Sequence, residues 1–192
     1  MLIILNSIKG KIMGSSKQKM VGFTLIEALV VLAIVAIVSN IAAPSFNNLI
    51  QNSRMTTQYN ELLTYLSLSR SEAVKHNSTV TICKSDDFAT PACGGEWHDG
   101  WLIFVDDDGD GVFDVGTDEL IRVHAALSGD NTLDYSHSRI TFSGDGMASG
   151  VFNGTFTLCD SRGNTGRKGM IVSTTGRTRY AVSDDILAAC PS

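Results

Sequence analysis

The run Gly22-Phe23-Thr24-Leu25-Ile26-Glu27 opens directly onto Ala28 to Val38, ALVVLAIVAIV, which carries no polar side chain. The apolar character continues to Ala43, broken only by Ser39 and Asn40. About 20 such residues suffice for a helix to cross a bilayer. A lone carboxylate at the mouth of such a helix is costly to place in lipid. Charges there are rare, mark function, and need a partner to neutralise them. Glu27 is therefore the first candidate functional residue. Lys17 and Lys19 supply a basic flank upstream. A secretory signal peptide would put its small-residue cleavage site after the apolar region. Here Gly22 comes before it, so cleavage at Gly22 would leave the apolar helix on the mature protein. An ordinary single-span anchor with an incidental Glu27 is the plain alternative.

This arrangement resembles the class III signal of type IV pilins and type II secretion pseudopilins. The basic leader, Gly22, Phe23 and Glu27 match its pattern, and the helix-bending proline of that family falls on Pro44. The resemblance implies cleavage between Gly22 and Phe23 and N-methylation of Phe23, both by a prepilin peptidase. It also implies that Glu27 pairs with the amino group of Phe23 on an adjacent subunit. The expected location is the bacterial inner membrane, with a single pass and the soluble domain in the periplasm. Met1 to Ile8 is apolar and unlike the rest of the leader, and Met13 would start a shorter leader, MGSSKQKMVG.

Past Pro44 the apolar positions Phe46, Leu49, Ile50, Tyr59, Leu62, Leu63 and Leu66 follow the spacing of a helix with one buried face. No Gly or Pro interrupts residues 45–76, and Asn77-Ser78 supplies a stop. Pro44 removes a backbone donor and crowds the preceding turn, so a bend is expected there. From residue 79 the period becomes that of strands. Val80–Cys83, Trp101–Val105, Leu120–Val123, Arg139–Phe142, Phe156–Leu158, Met170–Val172 and Arg177–Val182 are short and rich in β-branched or aromatic residues, with Gly- and Asp-rich turns between them. One long helix followed by about seven strands reads as α+β, the helix packed on antiparallel sheet. The expected organisation is a leader at 1–22, a transmembrane helix at 23–43, its amphipathic continuation at 44–77 and one globular domain at 78–192.

Four of the 15 basic residues (Lys9, Lys11, Lys17 and Lys19) lie in the leader, leaving 11 against 20 acids. A chain this acidic is a poor generic partner for nucleic acid or anionic lipid, so any such binding must be local. The cysteines are Cys83, Cys93, Cys159 and Cys190, an even count in a domain expected to be exported, which favours disulfides. Three pairings are open. Cys83–Cys93 with Cys159–Cys190 is preferred, because the first closes a short loop and the second ties down a terminus. No Cys-x-x-Cys or neighbouring His pair offers zinc spacing.

Ser69-Arg-Ser-Glu-Ala-Val-Lys-His-Asn77 with Val80-Thr-Ile-Cys83 resembles a segment of the GspH/FimT/FimU group. So do Gly100-Trp-Leu-Ile-Phe-Val-Asp106, Cys159-Asp-Ser-Arg-Gly163, and Ile171-Val-Ser173 leading to Gly176-Arg-Thr-Arg179. The resemblance covers nearly the whole mature chain and implies a minor pilin or minor pseudopilin, partnered by other pilins. The cysteine pattern and the last two segments lean toward FimT/FimU pilus subunits. An H-type pseudopilin of type II secretion is the alternative.

Two charged stretches stand out. Residues 162–179 hold Arg162, Arg167, Lys168, Arg177 and Arg179 and no acid, whereas residues 86–119 hold eleven acids and no Lys or Arg. Such segregation can make a locally positive surface on an acidic protein. Arg177 and Arg179 are two apart on an expected strand, so both side chains leave one face and can grip successive phosphates. Their Gly-Arg-x-Arg pattern resembles that of FimT-type pilins implicated in DNA uptake. Pairing with the acidic loop or contact with neighbouring subunits explains the same arginines. Asp106-Asp-Asp108-Gly-Asp110-Gly111 with Asp114 begins like a calcium loop, although position 12 is Thr117 and Asp118 and Glu119 follow late. A solvated turn accounts for the same residues. No catalytic constellation emerges: His76, His98, His124 and His137 are scattered, and no nucleophile motif or phosphate-binding loop accompanies them.

Overall fold

The computed structural model describes residues 22–150, 153–182 and 189–190. The expected leader, Gly22 apart, lies outside the described residues, as do residues 183–188 and 191–192 of the tail. The chain divides into two compact units, Met1–Pro44 and Ser45–Ser192. Helix α1, Leu25–His76, contributes to both and contains Pro44.

Thr24 caps the start of α1. The Glu27 amide donates to Thr24 Oγ1 at 3.3 Å, and the Ala28 amide to the Thr24 carbonyl at 3.2 Å. Thr24 and Glu27 thus have the spacing of a capping box. The other end stops at Asn77, whose φ of 50° is left-handed. The Ser78 amide reaches back to the Ala73 carbonyl at 3.3 Å, and the Asn77 amide to that of Val74 at 3.3 Å. This is the Schellman closure, for which Asn is the usual substitute for Gly.

Within the second unit the inward stripe of α1 is Met55, Gln58, Leu62, Leu66, Ser69 and Ala73. Steps of three and four keep all six on one face. Phe46, Leu49 and Ile50, expected on that stripe, are instead exposed, at 62%, 64% and 41%. Full burial begins only at Met55, and Ile50 borders a groove whose other wall includes His124 and Leu127. Phe46 and Leu49 keep most of their apolar surface uncovered.

The strands are β1 Val80–Lys84, β2 Trp101–Val105, β3 Glu119–His124, β4 Thr132–Asp134, β5 Arg139–Phe142, β6 Gly154–Cys159, β7 Lys168–Val172 and β8 Thr178–Ala181. They form two four-stranded antiparallel sheets, ordered β3-β2-β1-β5 and β4-β6-β7-β8. β4 was not expected from the sequence, and Arg177 lies just before β8 rather than inside a strand. Both sheets share the core with α1: Ile82, Ile103, Ile140, Phe142, Phe156 and Met170 meet Met55, Leu62 and Leu66. Each such side chain contributes about 1.5–3 kcal/mol on leaving water. β2 is buried along its whole length, because its second face is covered too. There Leu102 and Phe104 join Cys83 beneath Phe113, Val123 and Cys93. Cys83 is bonded to Cys93 and Cys159 to Cys190.

Candidate functional site

From Leu25 onward α1 is long and apolar enough to cross a membrane. Its side chains from Leu25 to Ile41 are exposed in the single chain, and Glu27 stands in the first turn as its only acid. An apolar surface this continuous requires lipid or protein to cover it. The carboxylate sits where the positive end of the helix dipole favours a negative charge.

The basic stretch is divided by its surroundings. Arg162 is locked to Asp160: its Nε donates to both carboxylate oxygens at 3.2 and 3.0 Å, and Nη2 lies 2.5 Å from Oδ2. Its Nη1 donates to Asn52 Oδ1 on α1 at 2.8 Å. These hydrogen bonds hold the Asp160 carboxyl below the usual carboxylate range and raise Arg162, against the opposing effect of burial. Lys168 donates to Thr56 Oγ1 at 2.7 Å, and burial lowers its pKa. Arg162 and Lys168 therefore fasten the β6–β7 connection, with its 3₁₀ turn Gly163–Thr165, to the helix. Arg167 Nη1 approaches Asn164 Oδ1 at 3.5 Å. Arg177 and Arg179 have a different setting, exposed along an edge strand. The register sets Arg179 opposite Ile171, while Tyr180, one residue on, opposes the buried Met170 and meets Tyr59 edge-on at 5.7 Å. Arg177 also borders a groove of about 590 Å³ with Arg70, Leu66 and Val74 of α1.

The acids lie chiefly between β2 and β3. Asp106 follows β2 directly and is only 1% exposed. Its Oδ2 accepts from Thr81 Oγ1 at 2.8 Å and from the Gly111 amide at 3.1 Å. Oδ1 is buried without a well-formed hydrogen bond, and desolvation raises this carboxyl's pKa against the lowering effect of Thr81 and of the Gly109 and Gly111 amides. Oxygens of Asp106, Asp108 and Asp118 lie within 4.8 Å of one another, as do those of Asp108, Asp110 and Asp114. Asp118, absent from the expected ligand set, comes in because the hairpin folds back. Its carboxylate accepts the Asp107 amide at 3.2 Å and the Asp114 amide at 2.8 Å. Among the described residues no histidine joins such a cluster. His124 stacks on Trp101 with ring centroids 4.0 Å apart, and Trp97 donates to the His137 carbonyl at 2.8 Å. Both tryptophans are buried.

A family model described as type II transport protein GspH matches residues 58–176, and one for the prokaryotic N-terminal methylation motif matches residues 22–40. Among solved structures the chain is similar to the type IV minor pilin FimU of Pseudomonas aeruginosa. In one crystal form the identity is 23% over 73% of this chain and 95% of that chain, with a TM-score of 0.54. A second form gives 23%, 71%, 98% and 0.51. The minor pseudopilin EpsH of the Vibrio cholerae type 2 secretion system is 10% identical over 67% of this chain and 97% of that chain, with a TM-score of 0.46. The likeness to FimU is one of fold. No match was found among curated proteins.

Proposed function

Because the chain belongs to the GspH family of minor pilins and pseudopilins, we propose that it is a minor subunit of a type IV pilus, anchored in the inner membrane by residues 23–43 with the domain at 78–192 on the periplasmic side. The observation that carries this reading is the uncovered apolar surface of α1 with Glu27 as its single acid. In the membrane that surface faces lipid. In a filament it faces the helices of other pilins, and Phe46, Leu49 and Ile50 extend it beyond the span. Glu27 then meets the amino group that a prepilin peptidase exposes at Phe23 of a neighbour. In so dry a setting the removal of one partner leaves the other charge buried and unpaired, which costs far more than breaking a pair on a surface.

Mass spectrometry of the mature protein should find N-methylated Phe23, and Gly22→Ala should block processing. Glu27→Ala removes a charge from the helix, so membrane insertion should be unchanged. Incorporation into filaments should fall about tenfold or more, the ratio that about 1.4 kcal/mol of lost pairing gives. Normal incorporation of the Glu27→Ala subunit would defeat the proposed pairing.

A second reading concerns the domain: duplex DNA bound without sequence preference through Arg177 and Arg179. Its support is the exposure of both arginines on one edge, with Arg70 bordering the groove beside Arg177. Gel shifts with the full chain in detergent micelles should show affinity falling steeply with salt. In Arg177→Ala/Arg179→Ala two fewer phosphates are neutralised, so the log–log slope should become less negative by about 1.8. Equal slopes would exclude the arginine pair. Absence of binding by the wild type at low salt would favour the H-type pseudopilin of type II secretion, with no DNA partner.

A further inference from the structure

The filament reading assigns no part to the buried end of the acidic hairpin. Asp106 has been drawn almost wholly out of solvent, yet one of its two oxygens makes no well-formed hydrogen bond, the Gly109 amide being its carboxylate's only other such neighbour among the described residues. Thr81 and the Gly111 amide both serve the other oxygen. A buried carboxylate oxygen left unpaired is among the costlier arrangements a fold can keep. The cost rises here because Asp108 and Asp118 bring oxygens within 4.8 Å of this same carboxylate. Arg139, beside Gly111, forms no ion pair that relieves it. Arg139 packs against Gly111 so closely that a Cβ there would lie 2.3 Å from its Nε. Among the described residues, however, none of these carboxylates forms an ion pair within 4 Å.

We propose that Asp106, Asp108 and Asp118 hold a calcium ion at the root of the β2–β3 hairpin. Ligand oxygens at 2.3–2.6 Å from calcium stand up to about 5 Å apart across the shell, so the observed spacing fits one ion. Asp106 supplies the buried ligand, Asp118 a second one oriented by two backbone amides, and Asp108 a third from the exposed side. Solvent completes the shell. Calcium suits this set better than magnesium, which demands near-ideal octahedral geometry and gives up its waters reluctantly. Asp110 and Asp114, expected as direct ligands, form with Asp108 a wholly exposed trio. Their part is to add negative field at the mouth of the site. With one side open to water, the affinity belongs with weak extracellular sites, a Kd of about 0.1–1 mM.

The test uses the full chain in detergent micelles, stripped with chelator and titrated with calcium chloride alone. Calorimetry should find one ion per chain. The melting temperature should rise about 3–6 °C at a tenfold excess over Kd. Magnesium chloride at equal ionic strength should do much less. Asp106→Asn should abolish binding. Because that position is buried, Asp108→Asn at an exposed position is the cleaner variant: it should weaken binding about tenfold without lowering the calcium-free melting temperature, since it also removes a like charge beside Asp106. No calcium-specific heat or shift in the wild type overturns the site. Undiminished affinity in Asp108→Asn places the ion elsewhere, and an equal response to magnesium overturns the assignment to calcium.

Discussion

The acidic stretch of residues 86–119 and the basic stretch of residues 162–179 look like mirror images in sequence, each purged of the opposite sign. Folding treats them differently. The acids are concentrated, with Asp106, Asp108, Asp110, Asp114 and Asp118 gathered into two overlapping trios and no protein cation paired to them among the described residues. The bases are dispersed. Arg162 is committed to Asp160 and Lys168 to Thr56, Arg167 approaches Asn164, and Arg177 and Arg179 stand on an exposed edge. The difference comes from what lies just outside each window. Asp160 is two residues before Arg162, and helix α1 passes beside the β6–β7 connection. Segregation along the chain is undone where a sequence neighbour supplies a counter-charge or a packed element supplies hydrogen-bond acceptors.

The two disulfides divide in the same way, and removing them gives the largest expected effects. Cys83–Cys93 spans 10 residues and sits in the packed cluster that Phe113 of the acidic hairpin completes. Cys159–Cys190 spans 31 residues at the basic end, where the Cys190 amide also donates to Asn164 Oδ1 at 2.9 Å. On the chain-entropy account the longer loop contributes about 3.7 kcal/mol and the shorter about 2.7 kcal/mol. Cys159→Ser should therefore lower the melting temperature by several degrees more than Cys83→Ser, at about 2–4 °C per kcal/mol. It should also weaken any DNA binding more, since β7, the neighbour of β8, pairs with the strand that ends at Cys159. A larger loss from Cys83→Ser would reverse the comparison and make packing, not loop length, the dominant factor.

The helix, its stop at Asn77 and the core of most strands were legible because each rests on a local pattern. The misses have physical causes. Phe46, Leu49 and Ile50 satisfy the helical period, but periodicity cannot tell a face covered by sheet from one left for lipid or a neighbouring subunit. β4 is three residues of mixed polarity, Thr132-Leu133-Asp134, and exists only because β6 offers an edge to pair with. Asp118 was passed over because linear spacing put Thr117 at the twelfth position of a calcium loop, whereas the hairpin measures proximity across its width. Asp160 fell just outside the window that made the basic stretch look unopposed. Each miss concerns a partner distant in sequence or a boundary drawn by charge alone.

The Arg162–Asp160 pair offers the sharper and smaller test, because it asks whether a residue of the basic stretch is structural. Asp160 is nearly buried, its side chain 3% exposed against 22% for Arg162. Arg162→Ala removes the guanidinium and its bridge to Asn52, leaving Asp160 with the Arg162 backbone amide at 2.9 Å. Losing one partner of a fully buried pair costs about 3–5 kcal/mol. The partial exposure of Arg162 reduces that to about 2–3 kcal/mol at neutral pH. The sign of the pH dependence follows from the depressed Asp160 pKa. In the unfolded chain an aspartate titrates near 3.9, so the pair's contribution is complete above that value and is lost as pH falls through the lower, folded one. Urea unfolding of wild type and variant should therefore show a gap that holds from neutral pH down to about 5 and closes in stronger acid. Arg177→Ala, at an exposed site, should stay within about 0.5 kcal/mol at every pH. A gap for Arg162→Ala as small as that for Arg177→Ala, or one that widens on acidification, would return Arg162 to the exposed basic surface and restore the symmetry between the two stretches.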